Sequence, residues 1–239
     1  MAYLFKKVNY FMKYNFIPIL ISVLLGFTLI SFSSSTLEII ITPRFNNKSI
    51  LETDWYVTPT KDSIQFTKIK FYLTNFKLIS NNGEIKVLEN SSYLIDIFKP
   101  ETLKFSLKLP HFNNNDKLYF ELGVNNRMNT TGAHSGALDP SNGMYWSWQS
   151  GYINFKIEGV SPSCMTRKNK FQFHIGGYQN PHNTLRNFTI NLNKQNLELN
   201  LNLEKFFEFT KLSNENQVLI PGSNADQLAT VFYNAFSVF

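Results

Sequence analysis

The chain contains a single cysteine, Cys164, and four histidines, and no block of five or six like charges interrupts it. One thiol cannot close an internal disulfide, so no disulfide framework braces this fold. The stretch Ser161-Pro162-Ser163-Cys164 reads as a loop without an activating base, which makes Cys164 incidental rather than catalytic. Charged residues are only 17% of the chain, and without a basic run there is no nucleic-acid footprint. No nucleophile elbow, phosphate-binding glycine loop, HExxH or CxxC occurs, so an enzyme is not expected. Internal repeats and low-complexity linkers are also missing, and beyond the N-terminal segment one domain is the simplest organisation.

Aromatic and apolar residues, by contrast, are abundant. The chain of 239 residues carries 23 Phe and 11 Tyr, and 43% of it is hydrophobic, enough for a sizeable core built from strands. Leu103, Phe105, Leu107 and Leu109 alternate with Lys104, Ser106 and Lys108, the period of a half-exposed strand ending at Pro110. Leu118, Phe120 and Leu122 repeat the pattern. The phase slips between Phe66 and Ile69, which predicts a bulge. Asn81-Asn82-Gly83 marks a hairpin turn. Leu185–Leu192 and Leu197–Leu203 read as a late hairpin. Tyr145–Ile157 reads as strand, preceded by a long loop from Asn125 to Gly143. Leu228, Val231, Phe232 and Ala235 follow helical spacing, with Asn224 as the expected cap. The fold expected is mostly β: an antiparallel β-sandwich with a short C-terminal helix.

The N-terminus reads as an address. Lys6, Lys7 and Lys13 account for half of the formal net charge of +6 and precede an apolar run from Phe16 to Phe32, interrupted by Pro18 and Gly26. Ser33, Ser34 and Ser35 follow as a small-residue exit. Residues 1–35 are therefore expected to be a signal peptide or an N-terminal anchor, and 36–239 the folded domain. The product would be periplasmic or extracellular, with no membrane-spanning domain beyond the N-terminal segment.

The most distinctive stretch runs Gly136-Ala137-Leu138-Asp139-Pro140, then Gly143-Met144-Tyr145-Trp146-Ser147-Trp148-Gln149-Ser150-Gly151-Tyr152, and closes with Glu158-Gly159. Trp146 and Trp148, two apart, would share one face of a strand. Phe173-His174-Ile175-Gly176-Gly177 follows. This order of motifs resembles the MbnP-like family of methanobactin-associated periplasmic proteins. Phe71–Phe76, Tyr93–Asp96 and Pro221-Gly222 match further family segments, so the resemblance covers most of residues 37–239.

That resemblance implies an exported copper-binding protein of copper acquisition or handling. It also implies a tryptophan oxidised to kynurenine by a diheme peroxidase-like partner. Carried over by position, His174 is the family histidine, and Trp146 or Trp148 the oxidised residue. Imidazole suits copper, and a soft donor nearby favours the reduced ion. One departure matters: where relatives carry a first-strand histidine, this chain has Thr42-Pro43-Arg44, and no histidine precedes His111. His134 is the substitute expected, ahead of His111 and His182, and Met144 could add a thioether. The metal-site candidates are thus His174, His134, Trp146, Trp148 and Met144. The rival reading is a metal-free extracytoplasmic binding or surface-interaction module on the same scaffold.

Overall fold

Alternating apolar positions become strands at Ser34–Phe45 (β1), Lys48–Ser49 (β2), Trp55–Val57 (β3), Ser63–Ile79 (β4), Ile85–Val87 (β5), Tyr93–Asp96 (β6), Lys104–Pro110 (β7) and Lys117–Leu122 (β8). The second half adds Tyr145–Ser147 (β9), Gly151–Val160 (β10), Lys170–Gly176 (β11), Arg186–Asn191 (β12), Asn196–Asn202 (β13), Gln217–Val218 (β14) and Phe236–Val238 (β15). Among the described residues two α-helices accompany them, Asn126–Thr130 (α1) and Ser223–Asn234 (α2). This computed structural model describes residues 34–89, 91–147, 149–193 and 195–238. The signal or anchor expected over 1–35 therefore lies, except for its last two residues, outside the described residues, as does Trp148.

The smaller sheet has the order β15-β13-β1-β2, with β7 also on β1; the larger runs β12-β8-β4-β10-β11-β14. β4 is the spine. Phe71 pairs with Phe155 of β10 and Leu73 with Leu122 of β8, so those two strands lie end to end along one side of β4. β3, β6 and β5 follow one another along its other side. The sheet consequently splits between β8 and β10. Asn154 closes the split: its Oδ1 accepts the Val124 N–H at 2.8 Å and its Nδ2 donates to Thr184 Oγ1 at 2.8 Å. The predicted slip is present as a register shift, with Phe66 opposite Gly159 and Lys68 opposite Glu158.

Phenylalanine fills the space between the sheets. Phe155 stacks on Phe232 of α2 at 4.1 Å, Phe71 meets Phe232 edge-on at 5.7 Å, and Phe66, Phe171 and Phe207 interlock below. Edge-to-face and offset contacts of this kind add to simple area burial.

The fold is mostly β and sandwich-like with a C-terminal helix, as expected, but the sheets are mixed: β13 joins β1 in parallel and β14 joins β11 in parallel. The late hairpin does not form. β12 pairs with β8 in the large sheet and β13 with β1 in the small one, so the chain crosses between sheets where a turn was expected. Alternation predicted both strands correctly and says nothing about which edge each would complete. The Tyr145–Ile157 strand is two strands, β9 and β10, folded back on each other. Asn224 lies inside α2, whose cap position is Gly222; its amide donates instead to Glu215 Oε1 at 3.0 Å.

Candidate functional site

Phe155 and Ile157 of β10 and Phe173 and Ile175 of β11 point into the core, so the residues between them face the other way. His174 Nε2 sits 2.6 Å from Glu158 Oε1. Lys68 Nζ donates to Glu158 Oε2 at 3.2 Å, and Lys156 Nζ lies 4.0 Å from Oε1. The hydrogen bond from His174 holds the Glu158 carboxyl down to about 2, against the effect of burial and with help from the Lys68 charge. An anionic Glu158 engages Nε2 as a hydrogen-bond acceptor, so Nδ1 is the ring nitrogen that this contact does not use.

Over this charged face lies a lid, residues 125–147. α1 starts it, its Asn125 side chain accepting the Met128 N–H at 3.0 Å. Asn129 then stitches the lid down: its Oδ1 accepts the Tyr152 N–H at 2.7 Å and its Nδ2 donates to Val124 O at 2.8 Å. The Asp139-Pro140-Ser141-Asn142 stretch is a 3-10 turn capped by Asp139 Oδ1 on the Ser141 N–H. Gly143 adopts φ 71°, a left-handed conformation that suits glycine, and its carbonyl accepts from Lys156 Nζ at 2.6 Å. The Lys156 ammonium is thus buried beneath the lid; burial lowers its pKa, which Glu158 opposes and Lys68 and Lys70 reinforce.

The lid has its own apolar cluster, Tyr72, Val124, Leu138, Met144, Tyr152 and Ile153, with Trp146 packed against it. Trp146 reaches β11 over Gly176. A Cβ there would stand 2.4 Å from the Tyr152 carbonyl oxygen and 2.8 Å from the indole Cζ3, so glycine admits both the neighbouring strand and the ring. Because Gly176 and His174 are two apart on one strand, the Trp146 indole and the His174 imidazole share a face. Met144 is fully buried in the cluster. His134 hangs beside it: its N–H donates to Tyr152 Oη at 2.9 Å, and its Nε2 contacts Thr131 Oγ1 at 2.9 Å and Met128 O at 3.1 Å. Tyr72 Oη, buried under the same cluster, has no hydrogen-bond partner among the described residues, the situation in which a water or ligand is usually accommodated.

Of the residues singled out from sequence, the structure thus gathers Met144, Trp146 and His134 around Tyr152 and sets His174 on the strand face next to Trp146. His174 and His134 belong to different hydrogen-bond groups. His111 is exposed at a strand end, and His182 Nδ1 lies 3.9 Å from Asp226 Oδ2. Among the described residues no three of His, Cys, Asp and Glu come together as a metal-holding group. Glu158 and Lys156 are the members that sequence reasoning missed as site residues. Their signal was available: two charges spaced by two in an otherwise apolar strand point to one face.

A family model for MbnP matches residues 34–224. The chain belongs to the MbnP family. Among solved structures, MbnP from Methylosinus trichosporium superposes with a TM-score of 0.58 at 14% sequence identity, covering 76% of this chain and 80% of that one. No curated protein matches the sequence. The matched span includes the whole lid and both strands, β10 and β11, on which it is seated.

Proposed function

We propose that this MbnP-family chain is an exported copper-binding protein of copper acquisition or handling, not an enzyme, with His174 as the principal nitrogen ligand. The observation that supports this is the 2.6 Å contact of His174 Nε2 with the Glu158 carboxylate. Metal-binding imidazoles characteristically give their second N–H to a carboxylate, which fixes the tautomer and raises the basicity of the free nitrogen. With no cluster of three His, Cys, Asp or Glu among the described residues, a soft ion of low coordination number suits this face better than zinc or calcium, which need three or more such ligands. Copper, when bound, would take imidazole nitrogen from His174. Trp146, after oxidation to kynurenine by a diheme peroxidase-like partner, would add an aromatic amine. His134 and Met144 are the further donors the lid could supply, and Trp148 the alternative tryptophan. The periplasm or the cell exterior is the compartment where such a protein would work.

One specific observation favours the metal-free module instead. At the first-strand position, Thr42 Oγ1 donates to Glu198 Oε1 and Arg44 donates to the Asn47 carbonyl, so neither is a ligand. Copper titration of the protein isolated from its native host separates the readings. Submicromolar binding that His174→Ala weakens at least tenfold supports the copper reading. Weak binding indifferent to that substitution, together with an unmodified Met144–Gly151 peptide in mass spectra, supports the module.

A further inference from the structure

At the end of the sandwich where β4 begins, three loops are tied to one buried carboxylate. Asp62 Oδ2 accepts the Leu212 N–H at 3.0 Å and the Thr60 hydroxyl at 3.0 Å, and the Ser163 side chain also bonds to it. Thr60 Oγ1 additionally reaches Thr210 O at 3.3 Å. Each of the loops so pinned carries a large apolar side chain into solvent: Val57 beside the first, Met165 in the second and Phe209 in the third, with Met165 93% and Phe209 85% exposed. The same loops carry Lys61, Arg167, Lys168, Lys170 and Lys211, all exposed and none in an ion pair among the described residues. Glu208 is the one exposed acid within them.

We propose that this tip is a docking surface for an anionic lipid bilayer. Side chains that stand almost fully in water on separate, rigidly held loops do not form the flat apolar centre that a protein interface needs. They do suit a deformable medium: Met165 and Phe209 enter the headgroup boundary while the surrounding cations meet lipid phosphates. The inference is independent of the copper reading, because it uses none of the residues of that site.

The test uses the full-length chain with an environment-sensitive fluorophore at Phe209→Cys. Cys164 is fully buried and its thiol is pushed up to about 11 by burial and by the Asp62 charge, so the introduced thiol is labelled selectively. A local probe is required because the apolar N-terminal run would itself partition into vesicles. On vesicles of phosphatidylcholine with about 30% phosphatidylglycerol, we expect a several-fold rise in emission with a blue shift. Pure phosphatidylcholine should give little change, and charge reversal of Lys61, Lys168 and Lys211 should abolish the response. Met165→Ser should reduce it. An unchanged spectrum on both vesicle types overturns the proposal, as does an equal response on both, or a response to polyglutamate but not to lipid.

Discussion

Replacing Glu158 by Gln in the metal-free protein removes one negative charge and leaves an acceptor for His174. The Glu158 carboxyl is displaced from 4.5 to about 2. Its folded-state value is lowered, so the stability it contributes is present above the unfolded value and is lost as pH falls through the folded value. Each tenfold change in acidity corresponds to about 1.4 kcal/mol, so the full contribution near neutrality is about 3 kcal/mol. The carboxylate side chain is 17% exposed, which leaves little solvent screening, but the glutamine oxygen retains part of the hydrogen bond. A loss of about 1.5–3 kcal/mol at pH 7 is therefore expected for Glu158→Gln. Urea unfolding of both proteins from pH 7 to pH 2 measures it. The gap between them should shrink between about pH 4.5 and 2 and vanish below. Other carboxylates titrate in the same range, but they do so in both proteins and cancel in the difference. Parallel profiles with no convergence would refute the argument that His174 and Lys68 hold this group as an anion.

Three further outcomes follow from the same geometry. Lys156→Met should cost about 1–3 kcal/mol, because it strips the Gly143 carbonyl of its buried donor, and it should speed proteolysis within residues 136–143. Gly176→Val should push both the Tyr152 backbone and the Trp146 indole off β11, seen as a red-shifted, more quenched tryptophan emission, with about 3 kcal/mol or more lost to overpacking. Cys164 should resist disulfide reagents at pH 8 in the native protein and react on unfolding; rapid native labelling would contradict its burial and raised pKa.

Much of the fold was legible because the period of two is strong in this chain. β7, β8 and the bulge of β4 stand where alternation and its slip put them. What alternation cannot report is partner choice. β13 reads the same whether it turns back on β12 or crosses to β1, and only closing the second sheet decides between them. The site was legible as a motif but not as a network. His174, Trp146 and Met144 were found by their order along the chain. Glu158, sixteen residues from His174, becomes its partner only through the pairing of β10 with β11, in which Lys156 stands opposite His174. Cys164 shows the opposite failure: its loop was read correctly, yet the loop folds inward and the thiol is in the core.

The division of the candidate site has a mechanical consequence. His174 and Glu158 stand on strands bonded along their length, and the opening of such a pair is as costly as opening the sheet. Met144, Trp146 and His134 stand on a lid held by Asn129, by Lys156 on Gly143 and by the seat of Trp146 on Gly176. A ligand gripped by both parts would stabilise the closed lid through its differential affinity for that state, and its apparent affinity would fall in proportion to the fraction of lid open without it. Loosening the lid at Lys156 should thus weaken a soft ion held jointly with Trp146. A ligand held by the sheet face alone would be indifferent to that change, so the response of metal affinity to Lys156→Met reports whether the two halves act as one site.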